Sequence, residues 1–123
     1  LALGARTTVA ARNLAQLARA EEMGASTIHL SSLSQATSSA DVVFNTVPAV
    51  VLTEEVIKGM RPGSLIIDLA SQPGGTDFQA AARYGVKAIH ALGLPGKVAP
   101  RTAGAILAEA LPQMIRRQLT RLR

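Results

Sequence analysis

The 123-residue chain is long enough for one domain with a hydrophobic core, and short for an enzyme that carries separate cofactor and substrate domains. Hydrophobic residues make up 48% of it and aromatic residues 2%, so its core is packed from Ala, Leu, Val and Ile, and a base-stacking nucleic-acid surface is excluded. The formal net charge is +5, but Arg116, Arg117, Arg121 and Arg123 crowd the last segment, where basic side chains suit a helix C-terminus; the remaining positive charge points to an anionic cofactor or substrate.

The absence of cysteine rules out disulfides, thiolate metal sites and a cysteine nucleophile. No apolar run approaches the length of a membrane span, and the start lacks the pattern of a signal peptide, so a soluble, cytoplasmic protein is expected.

Leu1 to Arg6 reads as the last turn of a helix stopped at Gly4, feeding a strand from Thr7 to Ala11. Asn13 is a candidate N-cap for a helix over Leu14 to Met23, which Gly24 ends. Ser26 to His29 is expected as an edge strand, followed by a short polar helix from Ser32 or Ser34 to near Ala40. Asp41 to Thr46 is the next strand and breaks at Val47-Pro48, because a residue before proline avoids helical geometry. A helix over Thr53 to Met60 opens with Glu54 and Glu55 at its positive end. Pro62-Gly63 then turns into a buried strand, Ser64 to Leu69. Pro73-Gly74-Gly75 punctuates the chain before a helix from Asp77 to Tyr84 closed by Gly85, and Val86 to His90 forms a further strand. A loop stiffened by Pro95 and Pro100 leads into a long terminal helix, Thr102 to about Leu122, bent at Pro112.

Alternating strands and helices with short connections predict an α/β fold, a doubly wound parallel sheet of Rossmann-like type with right-handed crossovers. A helix tail at the start implies a preceding strand and a glycine-rich phosphate-binding turn, and no G-x-G-x-x-G sequence opens this chain. We therefore expect a partial cofactor-binding domain over residues 1–123, lacking the first strand and the glycine-rich turn. In the usual strand order the absent strand lies between those at Thr7 and Asp41, so the sheet should close up, split, or take a strand from another chain.

Ligands of such sheets bind beyond the carboxyl ends of the strands. There Arg12, with Asn13 beside it, fills the position where an acidic residue would hold the adenosine ribose of NAD; a guanidinium suits a 2′-phosphate instead, which favours NADP with NAD as the alternative. Asn45, Thr46, Val47 and Pro48 bring an amide and a hydroxyl to a proline turn. Asp68, Ser71, Pro73, Gly74, Gly75 and Thr76 form either a tight strand-to-helix turn or a ligand loop, the paired glycines permitting close approach to backbone N–H groups. Lys97 and Arg101 carry two cations on the last loop. His90, at a strand end, is either an acid–base group or a structural histidine. His29 and His90 do not have the spacing of a metal site, and no metal is expected.

Three segments are also similar to a known family: Asn45-Thr46-Val47-Pro48-Ala49-Val50-Val51-Leu52-Thr53; Ile67-Asp68-Leu69-Ala70-Ser71, followed after one residue by Pro73-Gly74-Gly75-Thr76-Asp77-Phe78; and Gly93-Leu94-Pro95-Gly96 with Val98-Ala99-Pro100 and Thr102-Ala103-Gly104. Together they resemble the C-terminal, cofactor-binding domain of the family of dipicolinate synthase A subunits, over Leu1 to about Ile115. The NAD-binding domains of 2-hydroxyacid and alanine dehydrogenases are the wider relatives. The resemblance implies NAD(P)-linked oxidation of a dihydro- or hydroxytetrahydro-dipicolinate precursor to dipicolinate in the mother-cell cytoplasm during sporulation. It also implies a small dicarboxylate substrate, partnership with a second, flavoprotein-like subunit, and a homo-oligomer, with no nucleic acid or membrane involved. In that picture Asn45, Thr46, Ser71 and Pro73 to Thr76 line the nicotinamide side, while Lys97, Arg101 and His90 are the candidate catalytic residues. Two alternatives stand beside it: a hydroxyacid-type dehydrogenase domain, and a non-catalytic module that binds a partner chain.

Overall fold

Short runs rich in Val, Ile, Thr and Ala become, among the described residues, five strands: β1 Thr8–Ala11, β2 Ser26–His29, β3 Val42–Asn45, β4 Leu65–Asp68 and β5 Lys87–His90. The computed structural model describes residues 1, 3–106, 108, 109 and 112. Helices α1 Leu14–Glu22, α2 Leu33–Thr37, α3 Glu54–Lys58, α4 Phe78–Arg83 and α5 Leu94–Val98 alternate with the strands, and a 3-10 turn over Leu30–Ser32 precedes α2. All ladders are parallel. The α/β class and the parallel arrangement expected from the alternation are therefore present.

The sheet is split: β1 pairs with β2, β3 pairs with β4 and β4 with β5, and no ladder joins β1 to β3. The two flanking strands thus do not close up on each other within this chain. Each half keeps its own helix contacts. α1 packs on β1 and β2 through buried Leu17, and α2 lies between the β1–β2 pair and α3.

The core sits under β4. Leu52, Val56, Ile57, Met60, Ile66, Ala80, Ala81 and Val86 are buried together, with Val43 and Ala88 packed against them. The strand register explains this layer, because Val43, Ile66 and Ala88 are cross-strand partners and their side chains share one face. On the other face of the same strands Val42, Phe44 and Ile89 are exposed. Helix α4 is fixed at both ends. The Asp77 side chain accepts from Ala80 N at 2.9 Å at its start, and at its end Gly85 adopts φ +69 so that Val86 N donates to Ala81 O at 2.9 Å. That backbone conformation favours glycine, which has no Cβ to clash. Glu54 links α3 to α4, accepting from Tyr84 Oη at 3.1 Å and pairing with Arg83 at 3.1 Å.

The segment after β5 departs from expectation. Its prolines predict a stiffened loop, and it is instead largely helical, with α5 over Leu94–Val98 and a further helical stretch over residues 100–106. Pro95 stands in the first turn of α5, where its missing N–H costs no intrahelical hydrogen bond. The expected continuation toward Leu122, and with it the bend at Pro112, falls largely outside the described residues. Among the described residues no helix is long and apolar enough to cross a membrane.

Placing the core under β4 has a direct consequence for stability. Ile66→Ala should lower unfolding free energy by about 2–5 kcal/mol in chemical denaturation, whereas Phe44→Ala, at a side chain that is 62% exposed, should change it by less than about 0.5 kcal/mol. Equal effects of the two substitutions would contradict this placement.

Candidate functional site

The last register position of the three-stranded sheet places Asn45, Asp68 and His90 side by side at its carboxyl edge. Asn45 and Asp68 are buried. A carboxylate without water is stable only if its oxygens are supplied with donors, and here they are. Asn45 Nδ2 donates to Asp68 Oδ1 at 2.9 Å, Ala70 N donates to the same oxygen at 3.0 Å, and Gly75 N donates to Oδ2 at 2.8 Å. The Thr76 hydroxyl is buried beside the carboxylate, near enough to favour its charge but outside normal hydrogen-bond geometry. Burial alone would raise the Asp68 pKa; Thr76, Gly75, Asn45 and Ala70 together outweigh it and hold the group below its ordinary value. Asp68 is therefore an anion at neutral pH, surrounded by its own chain.

Asn45 extends this arrangement to the next loop, its Oδ1 accepting from Val47 N at 3.1 Å and its Nδ2 donating to Val47 O at 3.1 Å. The Gly75 carbonyl accepts from Val51 N at 3.1 Å and Leu52 N at 2.9 Å, and Asp77 N donates to Leu52 O at 2.9 Å. The loop after β3 and the loop after β4 are thus fastened to each other. Gly75 lies where they cross. A Cβ there would stand 2.2 Å from Asn45 Nδ2 and 2.4 Å from Val47 O, so no larger residue fits.

With that fastening inside, other atoms of the two loops face out. Thr46, Pro48, Ser71, Gln72 and Pro73 are exposed, and Gly74, Gly75 and Thr76 are buried. Gly74 N donates to Ser71 O at 2.8 Å, closing a turn that presents Ser71 to Pro73 at the sheet edge. His90 is tied to the same region, Nε2–H donating to Ala70 O at 3.2 Å and the ring lying 5.8 Å from that of Phe78. Lys97 lies in α5 and Arg101 in the helical stretch that follows, both exposed.

The β1–β2 half contributes a separate cleft of about 480 Å³, bordered by Arg12 at the end of β1, by His29 and Ser31 at the end of β2, and by Val51 and Glu55. Val51 belongs to the fastened loop, so cleft and sheet edge adjoin. Asn13 holds α1, its Oδ1 accepting from Ala15 N at 2.8 Å. Sequence spacing weighs His29 only as a metal ligand. The register that sets Ala11 opposite His29 brings it beside Arg12 at the cleft, and the shared position at two successive strand ends is the signal that could have found it.

Comparison with known proteins gives three findings. The family model described as the alanine dehydrogenase/PNT, C-terminal domain matches residues 1–121. The A subunit of dipicolinate synthase from Bacillus subtilis (strain 168) is 48% identical over 114 residues, which is 93% of this chain and 38% of that protein. Among solved structures, the A subunit of dipicolinate synthase from Bacillus halodurans superposes with a TM-score of 0.81 at 49% identity, over 92% of this chain and 39% of that one. The A chain of dipicolinate synthase from Bacillus subtilis gives 0.81 at 46% identity, over 98% and 40%. An L-alanine dehydrogenase gives 0.66 at 18% identity, over 93% and 37%, a likeness of fold. The chain spans about two fifths of the length of these relatives.

Two substitutions test the buried fastening. Asp68→Asn turns an amide NH2 toward donors that now meet an oxygen, and should cost about 1–3 kcal/mol at neutral pH. Because the folded-state pKa of Asp68 lies below its ordinary value of 3.8, its contribution is full above that value and is lost as pH falls through the folded one. Unfolding followed from pH 7 to about pH 2 should therefore show a shallower acid loss in the Asp68→Asn variant than in the wild type; parallel curves would contradict the assignment. Gly75→Ala should destabilise by about 1–3 kcal/mol in the same assay, the cost of forcing atoms into a filled space.

Proposed function

Because the chain belongs to the alanine dehydrogenase/PNT C-terminal domain family, we propose that it is the cofactor-binding part, over residues 1–123, of an NAD(P)-dependent oxidoreductase of the kind represented by the A subunit of dipicolinate synthase. The observation that carries the reading is the junction of a cation-bearing cleft with two fastened strand-end loops through Val51. The donor set of the cleft, a guanidinium, an imidazole and hydroxyls, fits the phosphate-bearing adenosine end of a dinucleotide. Arg12 would hold a 2′-phosphate, which makes NADP the preferred cofactor and NAD the alternative. The exposed atoms of Thr46, Pro48, Ser71 and Pro73 would line the nicotinamide side, with Asn45, Asp68, Gly74, Gly75 and Thr76 fixing those loops from within. Asn13 would act by placing Arg12 at the start of α1.

A bound nicotinamide would supply the hydride acceptor: a dihydro-dipicolinate precursor would give up a hydride from a ring carbon and a proton to solvent, a hydroxytetrahydro precursor would lose water as well, and aromatisation to dipicolinate would supply driving force. The chain's own part is orientation. Lys97 and Arg101 would pair with the carboxylates of this small dicarboxylate, and His90, whose Nε2–H is bonded to Ala70 O, would position the loop after β4. The resemblance further supports a place in sporulation, in the mother-cell cytoplasm, partnership with a second synthase subunit, and assembly into a homo-oligomer. A second reading, a module completed by a partner chain, draws on β1 and β3, each of which has a ladder partner on one side only.

The intact protein, given the precursor with NADP or NAD, should show precursor-dependent growth of reduced-nicotinamide absorbance, faster with NADP. Absence of reduction with both cofactors would contradict the oxidoreductase reading. Arg12→Ala should raise the KM for NADP about tenfold while leaving that for NAD within about twofold, and Lys97→Ala or Arg101→Ala should raise the KM for the precursor about tenfold.

A further inference from the structure

We infer that His29 is a second residue of the cleft that reads the 2′-phosphate, its Nε2–H donated to the phosphate beside the Arg12 guanidinium. The inference rests on the proposed nucleotide reading and adds a residue and an atom to it. His29 ends β2 directly opposite Ala11, the residue before Arg12, so the two cationic or donor side chains leave adjacent strand ends into one space.

What distinguishes His29 from a solvated strand-end histidine is how its ring is held. Nδ1 lies 2.8 Å from Ser31 Oγ and accepts from Ser31 N at 3.3 Å, so the ring caps the 3-10 turn over Leu30–Ser32. An imidazole that accepts from a backbone N–H through Nδ1 carries its proton on Nε2 when neutral. The ring is thereby fixed in orientation and tautomer, with a donor left over. Both His29 and Ser31 border the cleft. The acid among the cleft residues, Glu55, comes from α3, which places an anion in the same space as Arg12 and His29. A ring N–H donor next to a guanidinium suits a phosphate monoester, whose terminal oxygens offer acceptors beyond those that a single arginine fork engages.

The test uses the intact protein and two probes that lack nicotinamide, adenosine 2′,5′-bisphosphate and adenosine 5′-monophosphate, titrated calorimetrically. Wild type should bind the bisphosphate more tightly. His29→Ala should weaken the bisphosphate about tenfold and leave the monophosphate within about twofold. His29→Gln, whose amide NH2 stands near the place of Nε2, should recover most of the loss. If His29→Ala leaves both probes unchanged while Arg12→Ala weakens the bisphosphate, the role of His29 is overturned and the nucleotide reading stands. Equal weakening of both probes by His29→Ala would mark a structural role and also overturn it. If wild type does not prefer the bisphosphate, the preference for NADP fails together with the inference.

Discussion

The carboxylate of Asp68 has no solvent contact, and the carboxyl edge of the three-stranded sheet is arranged around that constraint. A buried negative charge must be met by donors or it destabilises the fold. Those donors come from three places in the chain: the strand-end amide of Asn45, the backbone just after β4 at Ala70, and the far end of the same loop at Gly75. Satisfying one side chain therefore fixes the paths of two loops. The hydrogen bonds from Val51, Leu52 and Asp77 then follow from where Gly75 and Leu52 have been placed. The close packing at Gly75 leaves the same backbone with no room to drift.

This arrangement separates positioning from contact. Of the side chains that look, by type, like ligands for ribose or nicotinamide, Asn45, Asp68 and Thr76 are buried, and the exposed surface is made by Thr46, Pro48 and the Ser71 to Pro73 turn. A surface held by a rigid inner layer has a lower ordering cost to meet if a ligand binds it. The cleft proposed for the adenosine end is built differently. The β1–β2 pair shares no ladder with the rest, yet its cleft borders Val51 of the fastened loop, so one loop reaches both the cleft and the sheet edge.

Much of this is legible in the chain. Glycine and proline punctuation locates the helix ends, and Asp77 is readable as a cap because its side chain needs only a local N–H. The strand from Ser64 to Leu69 announces itself by its apolar run. The bond between Asn45 and Asp68 is not legible, since it joins residues 23 apart in sequence and depends on strand register rather than on local pattern. His29 escapes a reading by spacing for the same reason: its partner at the cleft is set by the ladder between β1 and β2. The helix at Leu94–Val98 is hidden by two prolines that read as loop stiffeners, although a proline in a first turn is compatible with helix. The split of the sheet is likewise a matter of which strands form ladders, and no local pattern shows it.

Under the proposed function one nucleotide spans the cleft and the fastened strand-end loops. Backbone amide resonances of the intact protein followed during titration with NADP test it most directly. Coupled shifts are expected at Arg12, His29 and Ser31 and at Ser71, Gln72 and Gly74, saturating with one dissociation constant, while the Gly75 amide keeps its protection from exchange. Shifts confined to one of the two regions, or saturation of the two at different concentrations, would contradict it.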